Sequence, residues 1–239
     1  MIVWVSSFPR SGNTFLRIVL KHLYGVSTSV VYDVDGVAER LGAEMVGFIE
    51  RPAAIEVMRE SSEVHFVKTH RQRDGQIEET DPAICLVRDG RDALVSWARQ
   101  RSETDSGRYE TELQAMITRR DRVGTGGWGR NVLSWLRPPA PHRVLLRYED
   151  LVRDPRTNVE RAVATVAPQL RSLPGARIPA FSELQRADDR FFRRGHTATH
   201  RDELPDELHE LFWSQPDNRA AMLLLGYDEN SRNPDGSVR

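Results

Sequence analysis

Short apolar runs alternate along this chain with longer segments in which apolar residues recur at helical spacing. Four runs are rich in aliphatic and β-branched residues and predict strands: Ile2–Ser6, Val64–Lys68, Ile84–Val87 and Val144–Arg147. Strands that alternate with helices pair in parallel, and helices then cover both faces of the sheet. The pattern therefore predicts an α/β fold, a single domain with a central parallel sheet flanked by helices.

Each predicted strand is followed at once by polar residues that can do chemistry. The endings read "SFPRSGNT", "TH", "RDGRD" and "YED" in chain order. In parallel sheets of this kind ligands bind beyond the carboxyl ends of the strands. The four endings are therefore expected to converge on one binding edge.

The first ending, in "SSFPRSGNTF", has the form of a phosphate-binding loop between a strand and a helix. A helix that begins near Asn13 would present free N–H groups and its positive dipole end to an anion, and Gly12 would permit the tight turn. Nucleotide triphosphatases place a lysine directly after this glycine, where this chain has asparagine. Arg10 supplies a charge from elsewhere in the loop. Such a loop suits a 5′-phosphate group without a triphosphate–magnesium cluster.

Composition narrows the class of protein. The chain has 239 residues, with 34 basic and 35 acidic side chains, and this balance argues against a nucleic-acid partner. The length suits one domain over residues 1–227, followed by a polar tail at 228–239 that is expected to be flexible. No apolar run approaches the roughly 18 residues of a membrane span, and a strand begins at once, so no signal peptide is expected. The expectation is a cytoplasmic protein.

Three further segments indicate a ligand with two separated phosphates. "VKTH" places Lys68 and His70 two residues apart at a strand end, where both can face one group. "VRDGRDALVSW" follows another strand with Arg88 and carries Ser96 on the next helix. "FFRRGHTATHRDEL" supplies a second pair of arginines, next to a glycine, far along the chain.

Together these segments resemble the cytosolic sulfotransferases that use 3′-phosphoadenosine 5′-phosphosulfate (PAPS). That family has a loop T-Y-P-K-S-G-T-T-W, a K-T-H segment, a segment R-N-x-K-D-x-x-x-S, a Y-E-D segment and a late loop R-K-G-x-x-G-D-W-K. The counterparts here are "SSFPRSGNTF", "KTH", "RDGRDALVS", "YED" and "RRGHTATHR". They occur in family order from residue 6 to about residue 204. The resemblance implies a P-loop-NTPase-like sulfotransferase fold.

The resemblance also implies a mechanism in which no metal takes part. His70 would be the general base that takes a proton from the acceptor hydroxyl, and Lys68 and Arg10 would stabilise charge on the oxygen that joins sulfur to the 5′-phosphate. The implied contacts to PAPS, or to the product 3′-phosphoadenosine 5′-phosphate (PAP), are Arg10, Ser11, Gly12, Asn13, Thr14, Phe15, Arg88, Ser96, Tyr148, Phe181, Arg193, Arg194 and Gly195. The acceptor would be a hydroxyl of a small molecule.

Some residues depart from the family pattern. Arg10 replaces the loop lysine and Phe15 replaces a tryptophan, while Ala198 and His200 replace the glycine and tryptophan of the late loop. His196 and His200 are four residues apart, but no third ligand is evident, so no metal site is expected. The family's C-terminal dimerisation segment is not recognisable, which leaves the oligomeric state open.

Two other functions fit parts of the pattern. A P-loop small-molecule kinase would share the fold, although Asn13 argues against it. A non-catalytic nucleotide-binding module would keep the phosphate contacts, although Lys68 and His70 argue against that.

The polar stretch Arg99–Gly127 predicts a helix flanked by loops. This segment is either a solvent-exposed insertion or a lid over the acceptor.

Overall fold

A computed structural model of the chain describes residues 1–30, 36–49, 54–73, 75, 77–122, 124–188 and 199–227. Its centre is a five-stranded sheet with the strand order β2-β3-β1-β4-β5, and every neighbouring pair is parallel. The strands are β1 (Ile2–Ser7), β2 (Thr28–Val30), β3 (His65–Thr69), β4 (Ala83–Val87) and β5 (Arg143–Arg147). The single α/β domain with a parallel sheet is thus confirmed.

Helices connect the strands and cover the sheet. They are α1 (Asn13–Tyr24), α2 (Gly36–Leu41), α3 (Ala43–Val46), α4 (Ile55–Glu60), α5 (Gly90–Arg101), α6 (Tyr109–Ile117), α7 (Trp128–Leu136), α8 (Tyr148–Arg153), α9 (Pro155–Val166), α10 (Phe181–Ala187), α11 (His200–Glu203), α12 (Asp206–Ser214) and α13 (Pro216–Leu225), with a 3₁₀ turn at Ser106–Arg108. Within the described ranges no helix is both long and apolar enough to cross a membrane.

Strand β1 lies at the centre of the sheet and is buried along its whole length. Its alternate side chains enter two different cores because successive residues of a strand point to opposite faces. Val3 and Val5 join the core formed with α1 and α9, whereas Ile2 and Trp4 join the core formed with Trp135 of α7. Burial on both faces explains why this strand reads as a continuous apolar run rather than as an alternating one.

The predicted strands match β1, β3, β4 and β5 to within a residue or two, and α1 begins at Asn13 as expected. The pattern missed β2, which has only three residues, two of them hydroxylated. That strand is buried through polar contacts, because the Nε of Arg17 donates to the Oγ1 of Thr28 at 2.7 Å. The helix expected within residues 99–127 corresponds to α6.

The pairing of β1 with β3 determines what meets at the binding edge. Ser6 is aligned with Thr69, so the next residues along the two parallel chains, Ser7 and His70, lie side by side where these strands end. Val5 is aligned with Lys68 one step earlier.

Candidate active site

The loop between β1 and α1 has the backbone of an anion-binding turn. Gly12 precedes α1 with a φ of 96°, and Arg10 has a φ of 64°, a left-handed conformation that is uncommon for a residue with a side chain. The hydroxyl of Ser11 is buried, and its Oγ makes no hydrogen bond to the residues that the structure describes. Thr14 is buried in the first turn of α1. A buried hydroxyl beside free helix N–H groups suits an anion such as a phosphate.

Asn13 uses its side chain to fix this loop. Its Nδ2 donates to the carbonyl oxygen of Val5 at 3.3 Å and to the Oγ of Ser7 at 3.1 Å. The side chain of Asn13, which stands where nucleotide triphosphatases have a lysine, therefore faces β1. Asn13 leaves its backbone N–H, at the start of α1, as the group that can meet an anion.

His70 is held in a single tautomer. Its Nδ1 lies 2.8 Å from the carbonyl oxygen of Ser7 and 3.2 Å from the Oγ of the same residue. A carbonyl oxygen can only accept, so Nδ1 carries the hydrogen and the lone pair of the neutral ring is on Nε2. This is the arrangement that a histidine general base requires.

The surroundings of His70 keep its ring neutral. Burial is the main reason that its pKa lies well below 6.5, and the positive charges of Lys68, Arg17 and Arg10 lower it further. The hydrogen bond to Ser7 opposes this shift without reversing it. Lys68, at 6% exposure, is itself buried. The site thus places a neutral imidazole among cations.

The structure brings the expected second phosphate contacts together with the first loop. The Nη1 of Arg88 donates to the carbonyl oxygen of Arg10 at 3.2 Å, and the Nε of Arg10 donates to the Oγ of Ser96 at 3.2 Å. The guanidinium of Arg88 also lies 4.5 Å from the ring centre of Tyr148. Arg10 therefore touches both predicted anion sites rather than the first alone.

Asp92, on α5, also belongs to this group, although the sequence pattern did not single it out. Its Oδ1 accepts from the backbone N–H of His200 at 2.9 Å, and the Nδ1 of His200 lies 2.7 Å from the same oxygen. Its Oδ2 lies 3.7 Å from the Nη2 of Arg88. Burial alone would raise the pKa of Asp92, but the His200 hydrogen bond and the Arg88 charge outweigh it and hold the pKa at about 2. An ionised carboxylate thus joins Arg88 to the end of the late loop.

The other predicted site residues fall in different places. Phe15 is half-buried and packs against the core, while Phe181 begins α10 and its side chain lies outside what the structure describes. Arg193, Arg194 and Gly195 lie outside the described residues, as does the tail at 228–239.

Nothing within the described ranges forms a group of three or more His, Cys, Asp or Glu side chains that could hold a metal ion. His200, one of the two histidines considered for a metal, is bonded to Asp92 instead.

The ring of Tyr148 packs directly on Gly12. A Cβ at position 12 would lie 2.5 Å from the Cδ2 of Tyr148, and the φ of 96° would strain any other residue there. We expect Gly12→Ala to lower the free energy of unfolding by at least about 2 kcal/mol, since left-handed backbone alone costs roughly 1–2 kcal/mol. Thermal and urea unfolding measure the loss.

Gly175→Ala is the matched control. Gly175 also has a positive φ, 69°, but a Cβ there would meet nothing within 4 Å. Its substitution should cost only the backbone strain. Equal losses for the two variants would contradict the contact between Gly12 and Tyr148.

Residues 2–164 match the model of the sulfotransferase domain family. The chain belongs to this family. The matched segment contains the phosphate loop, His70, Arg88 and Tyr148, so the resemblance deduced from the motifs is confirmed.

A curated relative, a WSCD family member from Aedes aegypti, is 29% identical over 165 residues. The aligned region covers 67% of this chain and 47% of the relative, so the chain spans about half the length of that protein.

Two solved structures share the fold. Mouse sulfotransferase SULT7A1 complexed with PAP superposes with a TM-score of 0.59 at 15% identity, covering 95% of this chain and 88% of the mouse chain. Retinol dehydratase in complex with androsterone and the inactive cofactor PAP gives a TM-score of 0.58 at 16% identity, covering 98% of this chain and 82% of the other. The sulfotransferase fold expected from the sequence is therefore the fold of this domain.

Proposed function

We propose that this sulfotransferase moves the sulfuryl group of PAPS to a hydroxyl group of a small-molecule acceptor, with His70 as the general base. The observation that carries the proposal is the hydrogen bond between the Nδ1 of His70 and the carbonyl oxygen of Ser7, at 2.8 Å. It leaves the Nε2 lone pair as the proton acceptor of the ring. Ser7 leads directly into the phosphate loop, so the base and the loop share one anchor.

The residues of the loop suit the 5′ end of the nucleotide. The buried Ser11 hydroxyl and the N–H groups at the start of α1 would hold the phosphate, and Gly12 gives them the turn that this requires. When bound, PAPS supplies an activated sulfuryl group. Sulfuryl transfer resembles phosphoryl transfer in depending mostly on positioning and on charge stabilisation.

Each remaining side chain has a role that its position supports. Nε2 of His70 would take the proton of the acceptor hydroxyl, and Lys68 would place positive charge beside the bond that breaks. Arg88 and Ser96 would hold the 3′-phosphate, and Arg10, in the loop for the 5′ end, is joined to that site by its hydrogen bonds with Arg88 and Ser96. Arg193, Arg194 and Gly195 are proposed for the same phosphate from the sequence motif alone.

The two solved neighbours support PAPS as the donor, because both were crystallised with PAP. One of them also holds androsterone, a small hydroxylated molecule. These ligands belong to those proteins. For this chain they support a small-molecule acceptor without identifying it.

Calorimetric titration with PAP in magnesium-free buffer tests the donor, with 5′-AMP as the control that lacks the 3′-phosphate. We expect PAP to bind at least about 10-fold more tightly, because a charge-assisted contact contributes roughly 1.5–3 kcal/mol. A transfer assay with PAPS and a panel of hydroxyl acceptors follows. Binding of ATP with magnesium in place of PAP would favour a kinase, and PAP binding with no transfer to any acceptor would favour a non-catalytic module.

The pH dependence of turnover should follow His70. The base works only while neutral, and its pKa in the free chain lies well below 6.5, so kcat/KM should stay level through neutral pH and fall only in more acidic buffer. His70 of the unfolded chain has the higher pKa, so as the pH falls it is protonated before His70 of the folded chain. The free energy of unfolding should therefore also decline as the pH falls below about 6.5. Measuring kcat/KM against pH, with an acceptor whose hydroxyl does not titrate, checks the first expectation. An acidic limb centred at or above 6.5 would argue against His70 as the base.

A further inference from the structure

Helix α7 presents three polar side chains to the segment that begins at His70. The Nδ2 of Asn131 donates to the carbonyl oxygen of His70 at 2.9 Å, and the Nε1 of Trp135 donates to that of Arg71 at 2.9 Å. The Oγ of Ser134 accepts from the backbone N–H of Arg73 at 3.1 Å. The three residues lie within one turn of α7, and together they fix the main chain of residues 70–73.

Asn131 makes a second contact, to a turn that precedes α7. Its Nδ2 also donates to the carbonyl oxygen of Thr125 at 2.9 Å, within a turn at residues 124–127 that we call the glycine turn. The side chain is 1% exposed. One buried amide therefore joins the main chain of His70 to the glycine turn. Two part-buried carbonyl oxygens accept hydrogen bonds from it, and an acceptor that loses its donor away from water costs free energy.

The glycine turn packs on the same segment through Gln72. The backbone N–H of Gln72 donates to the carbonyl oxygen of Gly124 at 2.8 Å, and its Nε2 donates to that of Asp121 at 3.2 Å. A Cβ on Gly126 would lie 2.5 Å from the Nε2 of Gln72. The turn, the segment after His70 and α7 thus form one packed unit with Asn131 buried in it.

We propose that Asn131 is a positioning residue that sets the direction of the His70 ring and couples it to the glycine turn. This inference rests on the proposed function. The His70 ring is anchored at Nδ1 by Ser7, and its main chain is anchored by Asn131. With both anchors in place, the ring of His70 is held in one orientation, and so is the lone pair on its Nε2. Reaction rates are sensitive to such placement, since a shift of about 1 Å can cost about 10²-fold.

The test compares Asn131→Ala and Asn131→Asp with Asn158→Ala. Asn158 is a matched control, because its Nδ2 also donates to two main-chain carbonyl oxygens at 2.9 Å, those of Asp150 and Asp154. Asn131→Asp keeps the shape of the side chain and loses its donors at neutral pH, so it remains informative if the alanine variant does not fold.

We expect both Asn131 variants to lower kcat by at least about 10-fold while PAP affinity, measured by calorimetry, changes less than about 2-fold. Asn158→Ala should leave kcat within about 2-fold of the original chain. If Asn131 had only a structural role, its substitution would lower stability without lowering kcat more than PAP affinity. Unchanged kcat in folded Asn131 variants, or equal losses in the Asn131 and Asn158 variants, would overturn the proposal.

A second readout does not depend on turnover. The ¹⁵N resonances of the His70 ring report the surroundings of its two nitrogens, and we expect them to shift in Asn131→Ala, which adds no charge, and to stay unchanged in Asn158→Ala. If the original chain binds no PAP and turns over no acceptor, the proposed function fails, yet the resonances still show whether Asn131 positions His70. Unaltered resonances in the Asn131 variant would overturn the positioning role by itself.

Discussion

Replacing His70 by alanine is expected to lower kcat by about 10²–10⁴-fold, the usual contribution of a general base. The affinity for PAP should change little, because the ring is anchored to Ser7 and needs no contact with the nucleotide to act as a base. Single-turnover transfer from PAPS measures the chemical step, and calorimetry measures PAP binding. The comparison separates loss of the base from loss of the donor site.

His22→Ala is the control for this experiment. The Nδ1 of His22 lies 2.9 Å from the carbonyl oxygen of Ile18, the same type of contact that His70 makes with Ser7. Its removal therefore imitates the structural cost without touching the site. If His70→Ala retains kcat within a few-fold, the base is another group, and the mechanism proposed above is wrong.

Replacing Arg88 by alanine should weaken PAP binding by about 10–100-fold, as expected when a charge-assisted contact of roughly 1.5–3 kcal/mol is removed. Arg88 is buried, and it contacts Arg10, Asp92 and the ring of Tyr148. Its guanidinium is therefore held in place before any ligand arrives. Arg88→Lys keeps a charge but not the planar fork, so its loss should be intermediate.

The decisive comparison uses 5′-AMP beside PAP. If Arg88 binds the 3′-phosphate, the original chain prefers PAP and the Arg88→Ala variant binds the two nucleotides almost equally. Arg99→Ala is the control, because the guanidinium of Arg99 also pairs with a carboxylate, that of Glu203, and also lies over a tyrosine ring, 4.0 Å from the ring centre of Tyr109. A preference for PAP that survives in Arg88→Ala would place the 3′-phosphate elsewhere.

The sequence predicted the fold well where the signal was strong and local. Strands β1, β3, β4 and β5 are apolar runs, and Gly12 followed by Asn13 indicates the start of α1. The hydropathy pattern did not predict strand β2, because the burial of this strand involves Arg17, a charged side chain that such a pattern assigns to the surface. Arg17 also contributes to the lowered pKa of His70, an effect that no periodicity indicates.

The site was predicted as a set of residue types rather than as an arrangement. The motifs identified His70, Lys68, Arg88 and Ser96, but they assigned Arg10 to the first phosphate only. In the structure Arg10 donates to Ser96, which is 86 residues away along the chain. The helix that carries Asn131 was interpreted as core packing, and much of it is. The polar positions on that helix acquire a role only through what they face.

The sequence by itself determined the α/β fold, the family and the strand endings that meet at one edge of the sheet. Those features follow from local patterns, namely the alternation of apolar runs, the turn before α1 and the motifs at strand ends. Only the tertiary structure decided the tautomer of His70 and the contact between Asp92 and His200, which are 108 residues apart. The physical reason is that a proton's position and a buried charge depend on neighbours in space, and strand pairing and helix packing, rather than distance along the chain, supply those neighbours.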